Sequence, residues 1–128
     1  MEKKHTYLKT HTLAGGVLSF ALSVEDTGLR ERAQSAKSGR SAKTLVKEGR
    51  LRVTLIAMRR GSRLSAHQVE GVVSVHVVRG RARVSAEGAS TDLASDGLLV
   101  LQEEVSHTVE ALTDCALLVT VAMSADAT

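Results

Sequence analysis

From Ala42 onward, short runs rich in Val, Leu and Thr recur roughly every 8–12 residues, each closed by a Gly or a polar cluster. Runs this short cannot make helices that bury a face, and turns at this interval stack strands into a sandwich or a barrel. The runs are 43–47, 51–59, 72–78, 81–86, 89–93, 97–101, 106–112 and 116–123. In 81–86, Arg81, Arg83 and Ser85 alternate with Ala82, Val84 and Ala86, the pattern of an antiparallel strand with one wet face. Leu117, Val119, Val121 and Met123 share a face in the same way. Arg79-Gly80 and Glu87-Gly88 place Gly where a tight hairpin needs a positive φ.

The segment before these runs has a different grammar. Residues 12–22 read as a short strand or apolar arm, and Ser23-Val24-Glu25-Asp26 offers a capping box, so a helix is expected over about 24–35. Residues 35–41 are small, polar and Gly-containing, which predicts a loop. The chain therefore divides into an N-terminal arm with a short helix, 1–39, and a barrel, 40–128. At 128 residues it supports one core and not two. A single Cys cannot form an internal disulfide, and Cys115, at the head of the last run, reads as a small buried hydrophobe rather than a nucleophile. Tyr7 and Phe20 are the only aromatics, which excludes an aromatic platform for stacking bases or sugars.

Charge is segregated along the chain. Residues 1–83 hold all 17 basic groups with 6 acidic ones, and residues 84–128 hold 8 acidic groups and no basic one. Interleaved strands would turn this into internal complementarity or a two-signed surface. No helix-turn-helix, zinc finger or aromatic RNA-binding strand accompanies the basic residues, so no nucleic-acid partner is expected. No apolar run reaches the ~18 residues of a membrane-spanning helix, and no membrane role is expected. Lys3, Lys4 and Lys9 precede Leu13–Phe20 as in a secretory leader, but Gly15 and Gly16 break that apolar stretch, and a cytoplasmic address is expected.

Histidines carry the candidate chemistry. His67 precedes the 72–78 run and His107 opens the 106–112 run, where alternation puts it on one face with Val109 and Ala111. His76 alternates away from Val73, Val75 and Val77 and reads as structural, between sheets or at a subunit contact. Arg59, Arg60, Arg79, Arg81 and Arg83 could gather an anion at the barrel rim, although a solvated face or salt bridges to the acidic C-terminal part is the simpler explanation.

These residues resemble the cupins, whose first motif is G-x5-H-x-H-x3-E-x6-G: Gly61, His67 and Gly80 keep its spacing, while Val69 and Val73 stand at the second His and the Glu. Of the second motif, G-x5-P-x-G-x2-H-x3-N, only His107 remains, the other positions being Asp96, Gln102, Glu104 and Ala111. The likeness to small single-domain cupins extends over about residues 40–123, through residues 42–47 and the run from Val105 to Thr120. It implies an all-β, cupin-like antiparallel β-barrel (jelly roll) behind the N-terminal arm and helix. It also implies a barrel pocket in which His67 and His107 anchor a small-molecule ligand against Val69, Val73 and Val75. The alternative it implies is a metal-dependent dioxygenase or isomerase, with His67, His107 and Glu70 holding one divalent transition metal: iron, manganese, nickel, copper or zinc. A homodimer is expected, the 13–21 arm adding a strand to a neighbouring sheet edge.

Overall fold

The computed structural model describes residues 16–66 and 69–125. One helix, α1 (Leu22–Ser35), precedes nine strands: β1 (Arg40–Glu48), β2 (Leu51–Met58), β3 (Arg63–Ala66), β4 (Gly71–Arg79), β5 (Ala82–Ala86), β6 (Ala89–Leu93), β7 (Leu98–Leu101), β8 (His107–Ala111) and β9 (Cys115–Met123). They form an antiparallel five-stranded sheet ordered β1-β2-β9-β4-β7 and a four-stranded sheet ordered β3-β8-β5-β6. Eight of these strands coincide with the eight apolar runs to within three residues at either end. The unexpected one is β3, whose Arg63 and Ser65 are exposed and whose Leu64 alone of its four residues packs on the core.

Alternation assigns the faces. Val73, Val75 and Val77 of β4, Cys115 and Leu117 of β9, and Ile56 and Met58 of β2 point toward the four-stranded sheet. Ala82 and Val84 of β5 and Val109 and Ala111 of β8 meet them to form the core. The opposite face of the four-stranded sheet is polar in rows. One row crosses all four strands as Arg63, Glu110, Arg83 and Asp92, with Arg83 Nε 2.7 Å from Asp92 Oδ1 and Arg63 3.7 Å from Glu110. The next row is Ser65, Thr108, Ser85 and Ser90, in which Ser85 and Ser90 hydroxyls lie 2.8 Å apart. Here basic residues of the first part of the chain meet acidic residues of the second.

α1 packs on the outer face of the five-stranded sheet. Leu22, Asp26, Leu29 and Ala33 follow the spacing of one helical face, and Leu29 and Ala33 bury themselves against Leu45, Leu55 and Ala57. Each fully buried Leu contributes roughly 2 kcal/mol of apolar burial. The capping box does not form: Ala21 is the N-cap without a side-chain bond, and the helix starts two residues earlier than expected. Asp26 has another use. It is 2% exposed and takes a bidentate contact from Arg79 of β4 (Nε to Oδ2 2.7 Å, Nη2 to Oδ1 3.2 Å) and a third bond from Arg30, at 3.1 Å. At the other end, Arg59 Nη1 donates to the carbonyls of Gln34 and Ala36 at 2.7 and 3.2 Å, satisfying acceptors the helix leaves over. The described part of the arm, residues 16–21, forms no strand, and Phe20 packs on the cluster beneath α1.

Cys115 is fully buried, and burial pushes its thiol up to about 11 although Arg79 opposes the shift. Because the thiolate is the nucleophile, a disulfide reagent at pH 8 should label folded protein far more slowly than unfolded protein, with a rate that tracks unfolding. Stoichiometric labelling within seconds in native buffer would refute this burial.

Candidate functional site

His107 begins β8 on its inward side. Its strand neighbours are Ala66 of β3 and Ala86 of β5, and Val109 and Ala111 continue its face into the core. His107 is 9% exposed, buried at the end of the sheet. Its Nδ1 lies 3.3 Å from the Val105 carbonyl, which can only accept. An Nδ1–H donated there leaves Nε2 as the acceptor on the opposite edge of the ring.

Beside His107, between the β5–β6 turn and the start of β8, lies an open cavity of about 250 Å³. Ala86, Gly88 and Ala89 provide its small apolar wall, and Ser85, Ser90, Ser106 and Thr108 bring hydroxyls. Glu87, held at φ 51° in the turn, adds one carboxylate. The hydroxyls are adjacent because cross-strand register aligns them. The inward face of His107 was legible in the sequence, whereas the hydroxyls beside it leave as their linear trace only the frequency of Ser and Thr in the wet positions of the runs.

The other expected site residues lie elsewhere or outside the description. His67 is outside the described residues, although Ala66 before it pairs with His107. Val73 and Val75 are 3% and 1% exposed within the core, where they pack against both sheets, and Val69 borders that core. The Glu70 carbonyl accepts the Ser124 N–H. His76 lies on the outer face of the five-stranded sheet, 3.7 Å from Asp96 Oδ1 and thus not between the sheets. Of the arginines, Arg79 is committed to Asp26, Arg83 to Asp92, and Arg59 to the end of α1.

The resemblance implies a metal held by His67, His107 and Glu70. Val73, at the position of the motif carboxylate, has no donor atom and is packed away. Among the described residues no group of three or more His, Cys, Asp or Glu side chains is placed to hold a metal ion.

No protein-family model and no curated protein sequence matches the chain. Solved structures do. A cupin superfamily protein of Desulfitobacterium hafniense superposes with a TM-score of 0.64 at 15% identity, covering 66% of this chain and 78% of that one. An RmlC-like cupin of Shewanella frigidimarina gives 0.63 at 18% identity, over 72% and 83% of the two chains. Salicylate 1,2-dioxygenase of Pseudoaminobacter salicylatoxidans gives 0.70 at 19% identity, covering 80% of this chain but 32% of the dioxygenase. The two packed antiparallel sheets are a cupin fold, a jelly-roll β architecture with one helix added on the outside. Among the described residues, no helix is long and apolar enough to cross a membrane.

Proposed function

We propose that this chain is a cupin-fold binding protein that takes a small hydroxylated molecule at the end of the four-stranded sheet. The observation that carries the reading is the placement of buried His107 beside the hydroxyl-lined cavity. The Ser85, Ser90 and Thr108 hydroxyls, on the outward row of the sheet, and that of Ser106 can each donate or accept toward a ligand, and His107 borders the same cavity from the inward side at the end of β8. Ala86, Gly88 and Ala89 leave room for carbon. A cavity of about 250 Å³ is below the range of drug-sized pockets, which favours a ligand of few heavy atoms. Glu87 disfavours anions at the same place.

This reading omits the metal and derives no reaction. Similarity of the dioxygenase is a similarity of fold, and chemistry resides in the site rather than the fold. The test uses glycerol, ribose and glucose as probes, followed by the ring resonances of His107 in nuclear magnetic resonance titrations. At least one probe should give a saturable shift, and Ser90→Leu should weaken that binding at least tenfold by filling the cavity. Absence of a saturable shift with all three probes up to 50 mM (about the weakest binding that counts as specific) would overturn the proposal.

A further inference from the structure

α1 and the five-stranded sheet do not close on each other along their whole contact. Beyond Leu29 a cavity of about 200 Å³ opens between the C-terminal half of the helix, the ends of β2 and β4, and the turn from β8 to β9. It lies outside the barrel and shares no residue with the cavity beside His107. Ala33 and Ala57, 1% and 0% exposed, form its floor, two small side chains of the cluster beneath α1 where larger ones would fill the space. Arg30, Gln34, Arg79 and Asp114 stand around it.

The fold places each of these four by a separate device. In β4, Val73, Val75 and Val77 point inward, and strict alternation would send Arg79 inward after them. A register irregularity between Val77 and Arg79 reverses this, so that Val78 packs on the cluster beneath α1 and Arg79 reaches Asp26 on the same side. Bulges re-aim side chains in this way and are over-represented next to active sites. On α1, Asp26, Arg30 and Gln34 are spaced by four residues and stand in line along one face. Gly80, at φ +79°, lets the turn after β4 sit against the Asp114 carbonyl. The Asp114 carboxylate then accepts the Arg60 N–H at 2.8 Å and Gln34 Nε2 at 3.0 Å.

These bonds leave groups of both signs available. Arg79 donates from Nε and Nη2 to Asp26, and from Nη2 also to the Cys115 carbonyl, so its plane is fixed while Nη1 has no acceptor among the described residues. Arg30 donates from Nη2 to Asp26 and keeps Nε and Nη1. Gln34 Oε1 has no donor among the described residues, and each Asp114 oxygen has accepted one bond of the two it can take. Arg30 and Arg79 are balanced by Asp114 and by Asp26 beneath them, so these four groups carry both signs and no net charge. A simple anion meets two carboxylates here, and a simple cation meets two guanidiniums. A ligand with separated charges of both signs meets neither objection.

We propose that this cavity binds a small α-amino acid as its zwitterion. The ligand carboxylate takes the spare N–H groups of Arg79 and Arg30, whose planar forks suit it. Its ammonium donates to Asp114 and to Gln34 Oε1, and a short side chain lies on Ala33 and Ala57. The volume is below that of drug-sized pockets, so alanine or valine is accommodated and an aromatic amino acid is not. The site binds, and no reaction is assigned to it.

Nuclear magnetic resonance titrations with L-alanine and L-valine, read at the Gln34 side-chain amide and the Arg79 Nε–H, should give a saturable shift with at least one, while the His107 ring resonances stay in place. The deaminated and decarboxylated counterparts, propionate and ethylamine for alanine or isovalerate and isobutylamine for valine, should bind at least roughly tenfold more weakly, because each lacks one charged contact. Arg30→Gln should weaken amino-acid binding by a similar factor. Asp114→Asn should do the same without weakening the deaminated acid. Both side chains are exposed, so both variants should keep the wild-type His107 resonances and hence the fold. No saturable shift with either amino acid up to about 50 mM overturns the proposal. So does a deaminated acid that binds as tightly as its amino acid, which would make this a plain anion site. Undiminished amino-acid binding in either variant overturns it as well, because the ligand then lies elsewhere.

Discussion

Replacing Arg79 by Leu is expected to cost the fold about 3 kcal/mol, near the lower end of what breaking a buried ion pair costs. The reason is the position of Asp26. It occupies the sheet-facing stripe of α1, where Leu22, Leu29 and Ala33 are apolar, and only 2% of it is exposed. Burial by itself raises the Asp26 carboxyl, but hydrogen bonds from Arg79 and Arg30 outweigh burial and hold it below its ordinary value of 3.8. Without Arg79 the remaining partner is Arg30, whose side chain is half exposed. Asp26→Asn should cost less, because the Arg79 guanidinium is a quarter exposed and can turn to water.

Acid separates this account from lost packing. In the wild type the depressed carboxyl stabilises the fold above the ordinary carboxylate range, and that stabilisation is lost as pH falls through the folded-state value. In Arg79→Leu burial is less opposed, so the carboxyl should rise, and the variant should recover relative stability as pH falls. Denaturation at pH 7 should show a melting point roughly 10 °C lower for the variant, with the gap narrowing at pH 4. An unchanged gap would mean that Arg79 acts through its aliphatic stem rather than through its charge.

Gly80→Ala is the second large effect. Gly80 has φ +79°, and a Cβ there would lie 2.2 Å from the Asp114 carbonyl oxygen and 2.9 Å from Cys115 Cβ. Gly88 has nearly the same backbone, φ +78°, with nothing within 4 Å of its added Cβ. Alanine at 88 therefore carries only the left-handed penalty of about 1 kcal/mol. Alanine at 80 adds displacement of the β8–β9 turn and should cost at least about 3 kcal/mol in total. Urea titrations of the two variants measure the difference, and equal losses would show that the neighbouring turn moves aside freely.

The strands were legible because most bury one face, so alternation of Val and Leu with polar residues survives in the linear order. His107 was legible for the same reason: Val109 and Ala111 fix its face. β3 was not, since an edge strand with two of its four residues exposed carries little apolar signal. The capping box failed because Asp26 and Arg79 are 53 residues apart, and a count of charges does not say which opposite charge the fold brings near. The hydroxyls near His107 come from separate strands and are collected by register alone. Val73 and Val75 do face the barrel interior as alternation predicts, and there they are packed in the core.

The row Arg63, Glu110, Arg83 and Asp92 also acts on folding errors. Sliding β5 by one residue against β8 would send Arg83 to the interior and Val84 to water, and a matching slip of β8 would bury Glu110. Each such isomer inserts a charge among Val and Ala side chains, so the four-stranded sheet admits one alignment. β7 has no comparable check. Its residues are apolar on both faces, and a slipped β7 would exchange one Leu or Val for another. Fidelity of alignment is thus strict in one sheet and lenient at the last strand of the other.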